Sequence, residues 1–348
     1  MMPPWPRAWG ALPGGALIRC SPEDFQVSEQ LGFGLSGEGE HCFLYLQKRQ
    51  LNSMELLQRL SVLSGVAPRD IGLSGLKDRN AVTRQWFSIG MAGRAEPDWQ
   101  LLEADGDVQV LELGRHLRKL RRGVHRSNRF ILVLRALTGE RAALEQRLGK
   151  LRDAGFPNYF GEQRFGRNGS TLEQARRWMR GGRRITRDKR SLYFSALRAY
   201  VFNQLLAARV EIGDWNVIRP GDVCLLHGTR SFFTSEEVSD DLRARAASGD
   251  IHPGVPLWGR GPASVSARQN DSLSGCVDIC DFLEESGLTL AWRPARLLPD
   301  DFCWQFCDDG ILRLDFSLGA GSYATSLLAE FVQYREGCIE SGIGSEQD

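Results

Sequence analysis

The sequence predicts an α+β protein of about two domains. Three observations lead there. The chain has 348 residues, about twice the length of an ordinary domain. Its extended segments come in a run before its helices, without the regular alternation that builds a doubly wound sheet. The composition also changes after Gly155, where FPNYFGEQRFGRNGS (156–170) is rich in glycine and aromatics and has no clear period. Hydrophobic residues are 42% and charged residues 25%, a balance with which both domains bury real cores. No long internal repeat is visible.

The first fifteen residues, MMPPWPRAWGALPGG, lack the charged-then-apolar order of a secretory signal, and their prolines and glycines suggest a loose arm. ALIRCSPEDFQVSEQL (16–31) reads as strand, Ser-Pro turn and second strand, and EHCFLYLQKRQ (40–50) as another strand. NSMELLQRLSVLSG (52–65) reads as a helix, with Asn52 as N-cap and Glu55 three residues on. IGLSGL (71–76) and AVTRQWFSIG (81–90) are extended. Residues 107–137 end in an apolar strand, and GERAALEQRLGKLRDAG (139–155) has helical spacing that stops at a glycine. Ser170 with Glu173 predicts a capping box for the helix TLEQARRWMR, and SLYFSALRAYVFNQLLAARV (191–210) is long and amphipathic. From Gly213 to about Pro299 the chain reads as turn-rich with short strands, including HPGVPLWGRGPA (252–263). Residues 311–337 read as strand, glycine-rich loop and helix.

Net charge is +1, so bulk charge predicts no partner, but its distribution does. Arg115, Arg118, Lys119, Arg121, Arg122, Arg126 and Arg129 stand together without an acid, and a second basic run spans 176–190. Seven adjacent cations repel one another. An RNA backbone relieves that repulsion and releases counterions, which makes Arg118, Lys119, Arg121 and Arg122 candidate phosphate contacts. No apolar stretch approaches the ~20 residues of a membrane span, so the chain reads as cytoplasmic, with no membrane partner and with its eight cysteines reduced.

Several motifs carry little. GFGLSG (32–37) matches G-x-G-x-x-G, but a strand follows it instead of a helix, so it reads as a hairpin connection and not a dinucleotide fingerprint. The pairs Cys276/Cys280 and Cys303/Cys307 are spaced more widely than the Cys-x2-Cys of structural zinc. Cys303 and Cys307, in FCWQFC, would share one strand face and pack as small hydrophobes. The five histidines are scattered, and no G-x-S-x-G elbow is present.

GLKDRNAVTRQWFSI (75–89) admits two readings. Asp78 and Asn80 are ordinary turn residues, or the turn presents one carboxylate between two cations. Here resemblance adds to composition. This block, NYFGEQRFGRNGSTLEQARRW (158–178) and LRAYVFNQL (197–205) resemble signatures of the TruD family of tRNA pseudouridine synthases. SPEDFQV (21–27), RSNRF (126–130) and GSYATS (321–326) fit the same family in the same order.

The resemblance implies a pseudouridine-synthase mixed-sheet core, split into 1–155 and 301–348, around a large inserted α+β TRUD domain at 156–300. It implies an isomerase acting on transfer RNA, at uridine-13 in bacterial members, without cofactor or metal and with no obligatory protein partner evident. Asp78 takes the place of the family's catalytic aspartate. Phe25, Asn128 with Phe130, and Tyr323 take the places of residues around the target base; the last is commonly Phe in the family. Arg19 is the implied cationic partner of Asp78, with Lys77 the alternative. The chemistry fits these residue types. Uracil must leave C1′, turn and rejoin through C5, so it is flipped out of the stack and aromatic faces replace the lost stacking. Burial of the carboxylate would favour its neutral form, which an adjacent cation counters.

Overall fold

The computed structural model describes residues 5–229, 231–261, 272–307 and 310–337. In chain order these form β1 (Gly15–Ile18), β2 (Phe25–Leu31), β3 (His41–Arg49), α1 (Ser53–Ser64), β4 (Ile71–Leu73), β5 (Val82–Gly90), β6 (Val108–His116) and β7 (His125–Leu134). Next come α2 (Arg141–Ala154), β8 (Phe156–Pro157), α3 (Ser170–Met179), α4 (Arg187–Glu211), β9 (Val223–Leu226), β10 (Phe232–Thr234), α5 (Asp240–Ala247) and β11 (Ile251–Leu257). The chain closes with α6 (Val277–Glu285), β12 (Ala291–Pro294), β13 (Arg296–Leu297), β14 (Asp300–Cys307), β15 (Ile311–Gly319), α7 (Ala324–Phe331) and β16 (Gln333–Glu336).

These elements make two compact units. The sheet unit comprises Gly14–Arg141, Pro299–Gly321 and the residues from Val332 on. The helical unit takes Ala142–Leu298, Ser322–Phe331 and the residues up to Pro13. The helical unit thus includes α2 and α7 as well as the stretch 156–298.

The sheet unit is built on an eight-stranded mixed sheet in the order β14–β15–β7–β2–β5–β3–β6, with β4 also paired to β5. The β2–β5 pair is parallel and its neighbours are antiparallel, as expected for an α+β core. Helix α1 covers one face. Leu56, Leu57 and Leu60 pack on Leu44, Leu46, Phe87 and Ile89, and Phe43 and Trp86 are buried on the other face. Asn52 Oδ1 accepts from Met54 N at 3.0 Å and caps α1, and Gly65 ends it at φ 66°, where a β-carbon would be strained.

The helical unit is organised by α4. Leu197, Val201, Phe202 and Leu205 pack against Phe165, Leu172, Val255, Ile279 and Leu283. Its four-stranded sheet runs β10–β9–β11–β12.

Five readings need correction. Residues 5–13 are not a loose arm. Trp5 stacks on Tyr159 at 5.7 Å, Trp9 Nε1 donates to Gly155 O, and the amides of Ala8 and Trp9 donate to the Glu330 carboxylate. The Ser170 capping box is not made: Gly169, in a left-handed conformation, is the N-cap, and Glu173 pairs with Arg177 instead. GFGLSG is not a hairpin, because β5 lies between β2 and β3. Cys303 and Cys307 do share one face of β14, but it is the exposed one, since β14 is an edge strand. Cys276 and Cys280 are buried at the start of α6. Among the described residues no group of three His, Cys, Asp or Glu could hold a metal. The turn-rich reading of 213–299 missed α5 and α6, and HPGVPL lies mostly buried in β11; residues 262 and 263 of that stretch lie outside the described residues.

His252 in β11 is buried between two groups. Its Nε2 lies 2.9 Å from His227 Nδ1, and its Nδ1 accepts from Arg296 Nε at 3.2 Å. Burial, reinforced by the Arg296 charge, pushes it down to about 3. The unfolded chain therefore binds this proton more tightly than the folded one. The stabilisation is complete above about pH 6.5 and is lost as pH falls toward 3. His252→Gln is expected to lose less melting temperature than the parent between pH 7 and pH 4.5, measured by thermal denaturation at both.

Candidate active site

The segment Ser74–Asn80 leaves β4 and enters β5 without regular structure of its own, so its shape comes from what holds it. The first tie is Lys48. Its side chain is 0% exposed, and its ammonium donates to Leu51 O at 2.6 Å and Asp78 O at 2.9 Å. Burial pushes Lys48 down to about 8, with the Asp78 charge acting in the opposite direction. The second tie is Lys77, whose ammonium donates to the fully buried Glu29 carboxylate at 2.5 Å. Glu29 also accepts from Trp86 N. The third is a backbone contact, Gly123 N to Ser74 O at 2.7 Å.

These ties leave the Asp78 side chain 56% exposed. The burial anticipated for it is absent. Its Oδ2 accepts from Arg19 Nη2 at 2.9 Å, and Oδ1 has no hydrogen-bond partner among the described residues. Arg19, not Lys77, is therefore the cation on Asp78. The Arg19 side chain is only 15% exposed. Its guanidinium also pairs with Glu336, and its backbone is left-handed at φ 56°, a costly conformation for a residue with a β-carbon.

The other residues implied for the sheet unit gather around this turn. Phe25 is buried, with the Arg19 guanidinium 4.1 Å above its ring, so one face carries the arginine. Its edge meets Phe130, which stacks on Phe316 at 5.4 Å. Asn128 sits opposite Glu29 in the β2–β7 ladder. Its Nδ2 lies 3.2 Å from His125 Nε2, while its Oδ1 is buried without a partner. Burial, with the charge on Lys77, pushes His125 below its ordinary range. Glu23 and Asp24 are committed elsewhere: Glu23 to Arg49, and the buried Asp24 to Arg135 through both carboxylate oxygens.

The basic run occupies the end of β6, the loop and the start of β7. Acids distant in sequence neutralise part of it: Arg115 pairs with Glu96 and Arg129 with Asp315. Lys119 donates to Arg69 O. Arg118, Arg121, Arg122 and Arg126 are exposed and have no ion pair among the described residues. The loop is fastened at Leu120, whose amide donates to Ser88 Oγ, and at Gly123. Its free cations thus sit on the loop bonded to the Asp78 segment.

Comparison with known proteins identifies the family of the chain. The family model for tRNA pseudouridine synthase D (TruD) matches residues 8–173 and 169–331. The chain belongs to the TruD family. It is 45% identical over 334 residues to tRNA pseudouridine synthase D of Methylococcus capsulatus, covering 94% of each chain. The protein of that name from Nitrosococcus oceani is 44% identical over 327 residues, covering 92% of this chain and 91% of its own. A crystal structure of a protein from Methanosarcina mazei, provisionally given the same name, superposes with a TM-score of 0.71 at 19% identity, covering 94% of this chain and 95% of its own; it shares the fold. Like its TruD relatives, the chain is an enzyme of the isomerase class. No helix among the described residues is long and apolar enough to cross a membrane.

Tyr323, the remaining implied residue, belongs to the helical unit at the start of α7. Its hydroxyl accepts from Arg164 Nη2 at 2.7 Å, an acceptor that a Phe would not offer. Arg164 comes from the NYFGEQRFG block and also donates to Ser195 Oγ at 3.1 Å. The half-buried Arg293 packs 4.2 Å above Phe160 in the same block.

Sequence reading missed Lys48 and Glu29, though both left a signal. Cys42, Leu44, Leu46 and Lys48 fall on one strand face at period two, as do Phe25, Val27 and Glu29. A charge in an apolar stripe marks a buried group that must find polar partners. Lys48→Met is expected to leave two carbonyls without their donor, at about 1–3 kcal/mol each. Urea unfolding should show that loss, and turnover should fall further than the folded fraction because the Asp78 segment is untied.

Proposed function

We propose that this chain converts uridine to pseudouridine in transfer RNA, at uridine-13, with Asp78 as its essential carboxylate. The observation that carries the reading is a solvent-open carboxylate with one oxygen held by a largely buried arginine, on the residue that resemblance matches to the TruD catalytic aspartate. Arg19 fixes the direction of Asp78. The unbonded Oδ1 is the oxygen left to meet the ribose, as nucleophile at C1′ or as base at C2′.

In this reading the target uridine leaves the stack, at a cost of a few kcal/mol. Tyr323, held through its hydroxyl, contributes an aromatic face to the extruded base, and stacking of this kind is worth about 1–3 kcal/mol. Asn128, with its unused acceptor oxygen, hydrogen-bonds the base or its sugar. Phe25 acts through Arg19, whose guanidinium lies on its ring. Arg118, Arg121 and Arg122 take phosphates, with Arg126 beside them. The inserted TRUD domain, proposed as 156–300, supplies RNA contacts rather than bond-making groups. No cofactor, metal or second protein is invoked, and the cytoplasm is the proposed compartment.

Asp78→Asn tests the central assignment. It keeps the size of the side chain and its fitness for a turn but removes the charge. Pseudouridine yield on unmodified transfer RNA at saturating enzyme should fall to background, with melting temperature and RNA affinity close to the parent's. Full yield would overturn the role of Asp78. A separate change, Arg121→Ala with Arg122→Ala, should weaken RNA binding and flatten the log–log salt dependence by about 0.7–0.9 for each phosphate no longer neutralised. An unchanged slope would place the RNA elsewhere.

A further inference from the structure

The helical unit contains a pocket of about 400 Å³ along α4. Arg187, Arg190, Ser191, Phe194, Ser195 and Arg198 line it. Their spacing of 3, 4, 7, 8 and 11 residues from Arg187 puts them on one stripe of the helix. The opposite wall includes Leu257 and Leu288. No carboxylate lines the pocket, and none of its three arginines has an ion pair among the described residues.

The arginines differ in how they are held. Arg187 and Arg190 are exposed at the mouth. Arg198 is half-buried and fixed by donation from Nη2 to Leu257 O at 2.7 Å and Thr289 O at 2.9 Å, leaving its buried Nε without a partner. A guanidinium taken out of water with no anion beside it is costly. Phe194 is half-buried, braced by Trp178 at 5.3 Å and Phe282 at 5.9 Å. Ser195 Oγ accepts from Arg164, which also holds Tyr323.

From this we infer that the α4 pocket binds a nucleoside phosphate, with the phosphate on Arg187 and Arg190 and the base between Phe194 and the apolar wall. Three cations without an acid select an anion. A bare phosphate would leave the aromatic and leucine surfaces unused, whereas one nucleotide matches the pocket's size and its division into charged mouth and apolar wall. The nucleotide comes from bound RNA or from free solution. The RNA source rests on the proposed function, and the nucleotide chemistry does not.

The test uses the full-length chain and two probes, uridine 5′-monophosphate by calorimetry, with inorganic phosphate as its comparison, and an unmodified transfer RNA transcript by anisotropy across a salt series. The Arg187→Ala, Arg190→Ala double variant, changed only at exposed side chains, should bind the monophosphate at least tenfold more weakly. It should bind the transcript more weakly as well, with a salt slope lower by about 1–2. Phe194→Leu, which keeps apolar bulk against Trp178, should lose the preference for the monophosphate over inorganic phosphate. Weakening for the transcript alone assigns the site to RNA, and for the monophosphate alone to free nucleotide. Parent-like binding of both probes by the double variant overturns the inference, and leaves the functional reading intact if the parent makes pseudouridine. Arginine-dependent nucleotide binding by a parent that makes none would keep the site and sink that function.

Discussion

The sheet unit's exposed turn depends on a buried ammonium, that of Lys48, bonded to the backbone of Asp78. A loop of about seven residues with no ladder of its own loses conformational freedom at a cost of roughly 1–2 kcal/mol per residue when it is fixed. Lys48 meets part of that cost from beneath by fastening Asp78 O to the same point as Leu51 O. Lys77 turns inward to Glu29. With both lysines engaged below, the carboxylate of Asp78 is the group left facing out, and Arg19 reaches it from the end of β1. Without the buried ties, an exposed arginine–aspartate pair would contribute little. With them, it sets a direction.

Arg19 also carries more than one interaction. Its charge is divided between Asp78 and Glu336, and its stem and guanidinium cover Phe25. Its place is set by the parallel pairing of β1 with β16, which brings Ile18 opposite Glu336. The left-handed backbone at Arg19 turns the chain out of that pairing and into the Pro22–Asp24 turn. Asp24 there is locked by Arg135, so the stretch containing two further acids adds rigidity and no competing carboxylate.

Much of this was legible in the sequence, for physical reasons that differ by element. Helix α1 announced itself through Asn52, its apolar spacing and Gly65, because those signals are local. The strands from β2 to β5 were legible through their runs of apolar residues. Their order was not: the insertion of β5 between β2 and β3 is a non-local pairing that turned an apparent hairpin into a crossover. The site residues came from resemblance, and pairing them required coordinates. That Arg19 and not Lys77 meets Asp78 depends on which way each side chain leaves the turn. That Glu96 and Asp315 neutralise part of the basic run depends on neighbours far away in the chain. The exposed face of Cys303 and Cys307 followed from an edge position that a strand's own sequence does not state.

The grip of Glu330 on the amides of Ala8 and Trp9 spans 322 and 321 residues, and β1 waits in the same way for β16. On a ribosome, chain made early normally folds early. Here the first segment of each unit keeps part of its bonding open until the last segment of that unit has been synthesised. Closure of both units therefore waits for residues 330–336, and contacts of such high order form slowly. During translation Trp5, Trp9 and the bare edge of β1 are the surfaces a chaperone would be expected to cover.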